Sequence, residues 1–171
     1  MILVFAGNRV DDADRADPRF PQSNVPRVQS LVAEILAESR PDLVVGAAAA
    51  GSDLIILSEA QKASIPTHIV LPLDVNEFRR MSVVDQPGDW GGGFDLAISA
   101  STAVTVADLS EFDDWYLRGN DLILDTAESL AHGDEIMALV VAASDDDSSV
   151  SSDFRRKASA RGWSAVSVEP L

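Results

Sequence analysis

Residues 44–57, VVGAAAAGSDLIIL, decide the fold of this chain. An apolar run typical of a buried strand ends in a loop of glycine and alanine, and a helix is predicted to begin at Ser52 or Asp53. No side chain in this loop obstructs a ligand on its backbone, and the helix directs free N–H groups and its positive dipole end toward the same place. The pattern is typical of a phosphate-binding turn. Close packing of strand against helix is the alternative interpretation of such small residues.

Apolar runs and helical patterns alternate on both sides of this stretch. Continuous apolar runs such as residues 43–45 predict strands buried on both faces, which is typical of a parallel sheet. The predicted strands are 2–6, 42–46, 67–71, 103–107, 135–142 and 165–168, and the main predicted helices are 25–39, 53–64, 115–131 and 154–161, with a short helix, a flexible turn and a second helix within 74–100. The alternation predicts one doubly wound, Rossmann-like α/β domain over residues 1–171, with a mainly parallel sheet of five to six strands flanked by helices.

The amino-acid composition limits the classes of protein to which the chain can belong. The chain has 171 residues, of which 46% are hydrophobic, and this suits a single domain with a buried core. No apolar run reaches membrane-spanning length, and residues 1–7 resemble a first strand rather than a signal peptide. We therefore expect a cytoplasmic protein with no membrane partner.

The residue types that build metal centres are scarce. The chain has no cysteine, which excludes disulfides and thiolate zinc sites, and its two histidines, His68 and His132, exclude a histidine-rich site. The aspartates at 145–147 belong to a polar stretch, residues 144–153, that is predicted to be a loop and lacks the glycine turn of a calcium loop. We predict no metal site and no required cofactor.

The charge of the chain makes nucleic acid an unexpected partner. The formal net charge is −15, whereas proteins that bind duplexes neutralise phosphates with a basic surface. Arginine is the main basic residue, and Arg9, Arg15 and Arg19 follow the first strand. Because arginine binds planar anions through paired hydrogen bonds, these side chains indicate a small anionic ligand instead.

The predicted topology places this ligand at one edge of the sheet. In doubly wound sheets, ligands bind beyond the carboxyl ends of the strands, where the strand order reverses. With a strand order of 3-2-1-4-5, the crevice is bounded by the loop after strand 1 (Gly7, Asn8 and Arg9), the loop at 47–53 and the end of strand 4 at 107–108. The small-residue loop and the first arginine therefore lie on the same rim.

Nine residues are candidates for ligand binding. They are Gly7, Asn8, Arg9, Gly46, Gly51, Ser52, Asp53, Arg79 and Asn120. Asp53 either caps the helix or accepts a hydrogen bond from a ribose hydroxyl. A side chain at Gly51 would block the approach of a phosphate to the helix. Arg79, or its neighbour Arg80, can reach the crevice from the next helix, and Asn120 shares a helical face with Tyr116.

Short motifs spread along the chain resemble the SLOG superfamily. SLOG groups Rossmann-like domains related to the DNA-processing protein DprA and the LOG-type phosphoribohydrolases, and the closer similarity here is to bacterial SLOG-like domains at the N-termini of multidomain signalling proteins. The resemblance covers roughly residues 1–140 and depends on the order and spacing of the motifs. The motifs are Gly7-Asn8-Arg9, DPRFP at 17–21, GSD at 51–53, IVLPL at 69–73, Phe78 with MSV at 81–83, and Trp90 with Phe94.

This resemblance implies a binding or sensor module for a nucleotide or a nucleotide-derived ligand, NAD-like or ADP-ribose-like, in stress or immune signalling. A second copy of the chain or an effector protein is a further partner to expect. Two departures bear on chemistry: Asn8 replaces a histidine found in many relatives, and Ile56 stands where the LOG motif PGGxGTxxE has its glutamate. LOG-type hydrolysis is therefore not expected. The alternative is a hydrolase or glycosyltransferase acting on an N-glycosidic bond, with Asp53 or Glu59 as the acid.

Overall fold

The secondary structure alternates between strands and helices along the chain. A computed structural model describes residues 1–143 and 149–171. The strands are β1 (Ile2–Gly7), β2 (Leu43–Gly46), β3 (Thr67–Leu71), β4 (Ala103–Val106), β5 (Ile136–Val141) and β6 (Ser164–Val168). The helices are α1 (Val25–Ser39), α2 (Ser52–Lys62), α3 (Val75–Ser82), α4 (Trp90–Ala100), α5 (Trp115–Ala131) and α6 (Val150–Ala160), and a 3-10 turn (Gln22–Asn24) precedes α1.

The six strands form one sheet in the order β4-β3-β2-β1-β5-β6, and each adjacent pair is parallel. Helices cover both faces of this sheet. The prediction of a Rossmann-like α/β fold with a parallel sheet of five to six strands is therefore confirmed. An isolated antiparallel bridge between Arg9 and Gly51 ties the segment after β1 to the loop after β2.

The strand order differs from the one that defined the predicted crevice. β4 lies at the edge of the sheet, beyond β3, and β5 lies beside β1. Residues 107–108 therefore do not border the loop after β1. The physical reason is burial: β5 is apolar and almost wholly buried, as a central strand must be, whereas Val104 and Val106 of β4 are 37% and 46% exposed. The reversal of strand order falls between β1 and β5.

Two apolar layers hold the helices on the sheet. Leu3, Phe5 and Ile69 point to one face, where they pack with α1, α2 and α4. Val4 and Val70 point to the other face, where they pack with α5 and α6. The two-residue alternation of side chains along each strand supplies both layers. The carboxyl ends of the strands remain as the place where a ligand can reach the backbone.

The short helix, turn and second helix predicted within 74–100 correspond to α3, residues 83–89 and α4, and the glycines at 91–93 lie in the first turn of α4. One local prediction needs correction. α6 begins at Val150, within the stretch predicted to be a loop, because the Ser149 side chain accepts a hydrogen bond from the Ser152 N–H and caps the helix. The aspartate run at 145–147 lies outside the described residues.

Candidate functional site

A cleft of about 530 Å³ opens at the carboxyl ends of β1 and β2. Residues 5–12 of β1 and the segment after it form one wall, and residues 149–151 at the start of α6 approach from the side of β5. α3 and the first turns of α5 complete the lining. The cleft therefore lies at the reversal of strand order, the position at which sheets of this type bind ligands.

The three candidate glycines serve close packing. A Cβ at Gly7 would overlap the Ser52 side chain, and a Cβ at Gly46 would overlap the ring of Phe5. Gly51 has φ +105° and ψ −125°, and a Cβ there would lie 2.6 Å from the backbone nitrogen of Val10. Each glycine therefore allows the loop after β2 to lie directly against β1 or its extension.

Internal hydrogen bonds occupy part of the backbone that was predicted to hold a phosphate. The Ala50 N–H donates to the Ser82 carbonyl (2.9 Å) and the Ser52 N–H donates to the Asn8 carbonyl (3.2 Å). The Ser52 hydroxyl donates to the same carbonyl oxygen at 2.7 Å. The Ala49 N–H donates to Asp53 Oδ2 at 3.1 Å. Phosphate binding by this loop stays a prediction, and an anion there would compete with the Asp53 carboxylate.

Asn8 joins the two strands that flank the reversal of strand order. Its backbone N–H donates to the Val141 carbonyl (2.7 Å), and its side-chain Oδ1 accepts from the Ala143 N–H (3.0 Å). The residue is 7% exposed and lines the cleft. Its side chain therefore fixes the chain leaving β5 against the end of β1.

Asp53 is the buried acid of the cleft. The residue is 7% exposed, and while Oδ2 accepts from Ala49, Oδ1 has no hydrogen-bond partner among the described residues. Burial raises the pKa of this carboxyl to about 7, although the Ala49 N–H and the charge of Arg9 act in the opposite direction. The acid thus changes charge near neutral pH, within the wall of the cleft.

Three arginines from the segment after β1 line the same cleft. Arg9 Nη1 contacts Asp85 Oδ2 at 2.8 Å and donates to the Met81 carbonyl at 3.3 Å. Arg15 Nε donates to the Asp17 carbonyl at 2.7 Å and lies 3.4 Å from Asp11 Oδ1. Arg19 is the third.

Asp11 organises the loop that carries these arginines, and sequence reasoning did not single it out. Its Oδ2 accepts from the backbone N–H groups of Arg19 (2.8 Å) and Phe20 (2.7 Å). Arg19 and Phe20 lie eight and nine residues after Asp11 in the sequence, and the bend of the loop brings their N–H groups to its carboxylate. No local sequence signal identifies this contact in advance.

Arg79 does not join the other candidates. Its Nε and Nη2 donate to Asp95 Oδ1 (2.9 Å) and Oδ2 (3.0 Å), so the side chain ties α3 to α4 and does not line the cleft. The neighbouring Arg80 is 3.9 Å from Glu77 on the solvent side of α3. The prediction that one of this pair reaches the crevice is therefore not met by either side chain.

The start of α5 supplies aromatic and amide groups. Asn120 lines the cleft, and its Nδ2 donates to the Val150 carbonyl (2.8 Å) and to Asp153 Oδ2 (3.0 Å), which anchors α6 beside α5. Tyr116 is 44% exposed and meets Trp115 edge to face at 5.7 Å between ring centroids. Both rings line the cleft.

The remaining acid suggested by the sequence lies elsewhere. Glu59 pairs with Lys62 at 2.7 Å and is not part of the cleft lining. Within residues 1–143 and 149–171, no group of three or more histidine, aspartate or glutamate side chains is arranged to hold a metal ion. Over the same residues, no helix is both long enough and apolar enough to span a bilayer.

No protein-family model matches the chain, and comparison with curated proteins and with solved structures gives no match either. These comparisons do not identify the SLOG superfamily, so the resemblance stays a prediction.

Proposed function

We propose that the protein is a binding or sensor module for a nucleotide or a nucleotide-derived ligand, held in the cleft between β1 and β5. One observation carries the proposal: the cleft brings together three arginines, an exposed tyrosine and a buried carboxyl group, one oxygen of which has no hydrogen-bond partner among the described residues. Its volume of about 530 Å³ falls in the range of small-molecule sites.

Each kind of group has a counterpart in a nucleotide. Arginine donates paired hydrogen bonds to phosphate oxygens, and an exposed aromatic ring offers a face on which a base stacks. A carboxylate oxygen accepts from a hydroxyl. The net charge of −15 opposes nucleic acid as the ligand, because a polyanion would meet repulsion beyond the cleft, so a DprA-like role in DNA processing is disfavoured.

The SLOG-like motifs support a role in stress or immune signalling. In such a role, a second copy of the chain or an effector protein recognises the ligand-bound form of the protein. An intracellular site of action follows from the same proposal, because nucleotides such as NAD and ADP-ribose are metabolites of the cytoplasm.

Calorimetric titration with NAD, ADP-ribose and nucleoside mono- and diphosphates tests the proposal. We expect micromolar binding of at least one of them, and Arg9→Ala to weaken it about tenfold to a hundredfold, because a charge-assisted hydrogen bond to phosphate is lost. Arg79→Ala is the matched control: both arginine side chains are 35% exposed and each pairs with an aspartate, but Arg79 lies outside the cleft. Equal weakening by both substitutions would contradict a ligand held at Arg9.

A nucleotide hydrolase or glycosyltransferase is the second candidate, and one observation favours it. With its pKa raised to about 7 by burial, Asp53 can hold a proton near neutral pH and deliver it to a leaving base. Incubation with the same nucleotides, followed by detection of free base and ribose phosphate, separates the two functions. Turnover that Asp53→Asn abolishes would replace the sensor with the enzyme, whereas binding without turnover supports the sensor.

A further inference from the structure

We propose that Asn120 selects a base with an exocyclic amino group. The amino group donates to Asn120 Oδ1, the base lies against Tyr116, and the phosphates lie toward the arginines of the segment after β1. This inference rests on the proposed function and specifies the ligand class and its orientation in the cleft.

Asn120 is a buried amide with one group left to offer a ligand. It is 3% exposed and lines the cleft. Its Nδ2 carries two hydrogens, which are directed to the Val150 carbonyl (2.8 Å) and to Asp153 Oδ2 (3.0 Å). Because both partners are acceptors, they fix the orientation of the amide. No described residue donates to Oδ1, which points away from them.

The unpartnered oxygen of Asn120 keeps accessible surface. Among the described residues, the fully enclosed polar side-chain atoms without a partner are Asp53 Oδ1 and Arg155 Nε. Asn120 Oδ1 also lacks a partner but is not one of these two atoms, so a ligand atom can touch it. Since a largely buried amide oxygen without a donor is unfavourable, a ligand that brings a donor to it is bound more tightly.

An amide oxygen only accepts hydrogen bonds, and this limits the part of a nucleotide that can face Asn120. Phosphate groups offer mainly acceptor oxygens near neutral pH. Hypoxanthine and uracil carry carbonyl oxygens, which are acceptors too, and in each base at least one of them flanks the ring N–H. An exocyclic amino group projects from the ring and offers donors alone. It therefore reaches a recessed oxygen without placing another acceptor against it.

Tyr116 places the base, rather than the ribose, beside Asn120. The two residues are one turn apart on α5, both line the cleft, and Tyr116 is 44% exposed. A base stacked on this ring presents its edge to the next turn of the helix, where Asn120 lies. α5 packs on one face of the sheet, whereas the segment with Arg9 and Arg15 leads to α1 on the other face. Base and phosphates therefore occupy opposite sides of the cleft.

Ser151 adds a second polar group at the same end of the cleft. It is 3% exposed, lines the cleft and follows the Val150 carbonyl that accepts from Asn120. Its hydroxyl has no hydrogen-bond partner among the described residues and is not one of the two enclosed atoms. Because a hydroxyl both donates and accepts, it can pair with the ring nitrogen next to the amino group.

Calorimetry with three pairs of nucleotides tests the inference: ADP against IDP, GDP against IDP, and CDP against UDP. In each pair, the first base carries an amino group that the second lacks. We expect the amino-bearing nucleotide that binds to exceed its counterpart by about tenfold or more, since loss of the amino group leaves Asn120 Oδ1 unpaired. The 2′-deoxy and 3′-deoxy forms of the same nucleotide are expected to show no comparable loss.

Asn120→Ala is expected to bring the two affinities of the pair together, because the acceptor is gone. Asp153→Asn is the matched control: it replaces the carboxylate that accepts from Asn120 between α5 and α6 and leaves Asn120 Oδ1 in place. It is expected to retain the preference for the amino-bearing base. Circular dichroism checks the folding of both variants, and the comparison of nucleotides on the unaltered protein decides the matter if Asn120→Ala does not fold.

Equal binding within every pair by the unaltered protein would overturn the inference while leaving nucleotide binding intact. A preference that is lost in a folded Asp153→Asn, or retained in a folded Asn120→Ala, would also overturn it. A loss of affinity confined to the deoxy forms would overturn it by placing the sugar at Asn120. Failure of every nucleotide to bind at millimolar concentration would overturn the proposed function and this inference together.

Discussion

Gly51→Ala is expected to destabilise the protein by about 3–5 kcal/mol. Gly51 adopts φ +105° and ψ −125°, a region that side chains rarely allow, so the backbone itself is strained by the substitution. The added Cβ would also lie 2.6 Å from the Val10 nitrogen and 3.0 Å from the Arg9 Cα. Both are backbone atoms within the bridge that joins the two loops, so relief requires the loops to separate.

Thermal and urea unfolding, followed by circular dichroism, measure this effect, which corresponds to a fall in Tm of roughly 10 °C for a chain of this size. Gly93→Ala is the control: this glycine lies inside α4, where an added Cβ meets no described neighbouring group within 4 Å. It should stabilise the protein by up to about 1 kcal/mol. An unchanged unfolding midpoint for Gly51→Ala would contradict the packing role. A larger substitution such as Gly51→Val consequently tests folding before it tests phosphate binding.

The fold could be predicted from the sequence because the residue patterns that define its helices and strands are local. The boundaries of α1, β3 and α5 match the prediction to the residue, since apolar periodicity and terminating residues define each of them. The order of the strands could not be predicted from such local patterns. β4 and β5 are both short apolar runs, and only the exposure of alternate residues in β4 shows which one forms an edge.

The sequence predicted where in the fold the candidate site lies, but not which charged side chains pair with each other there. The loops after β1 and β2 meet at the cleft, as general rules of parallel sheets require. The pairing of carboxylates with arginines depends on the fold. Asp95 pairs with Arg79 between α3 and α4. Asp85 pairs with Arg9, which lines the cleft. The role of Asp11 depends on the path of a loop, for which the sequence carries no periodic signal.

Asp53→Asn is expected to stabilise the protein increasingly as the pH rises. Burial raises the pKa of Asp53 from its ordinary value of 3.8 to about 7. Between these values the unfolded chain has released a proton that the folded protein retains, so the free energy of unfolding falls as pH rises and levels off above about 7. Asparagine does not titrate and has nearly the same shape. The stability of the variant relative to the parent should therefore increase by about 2–3 kcal/mol between pH 5 and pH 8.

Urea unfolding of both proteins at the two pH values measures this change, and the comparison cancels any constant effect of the amide. Asp95→Asn is the control that should show no change between these two pH values. The hydrogen bonds from Arg79 lower the pKa of Asp95 from its ordinary value of 3.8, so its stabilising contribution is fully present at pH 5 and at pH 8 and is lost only in stronger acid. A stability difference for Asp53→Asn that is the same at pH 5 and pH 8 would show that the carboxyl ionises normally. Where the difference grows as expected, the chain retains an acid that lowers its own stability at neutral pH, a property that is common among residues of binding and catalytic sites.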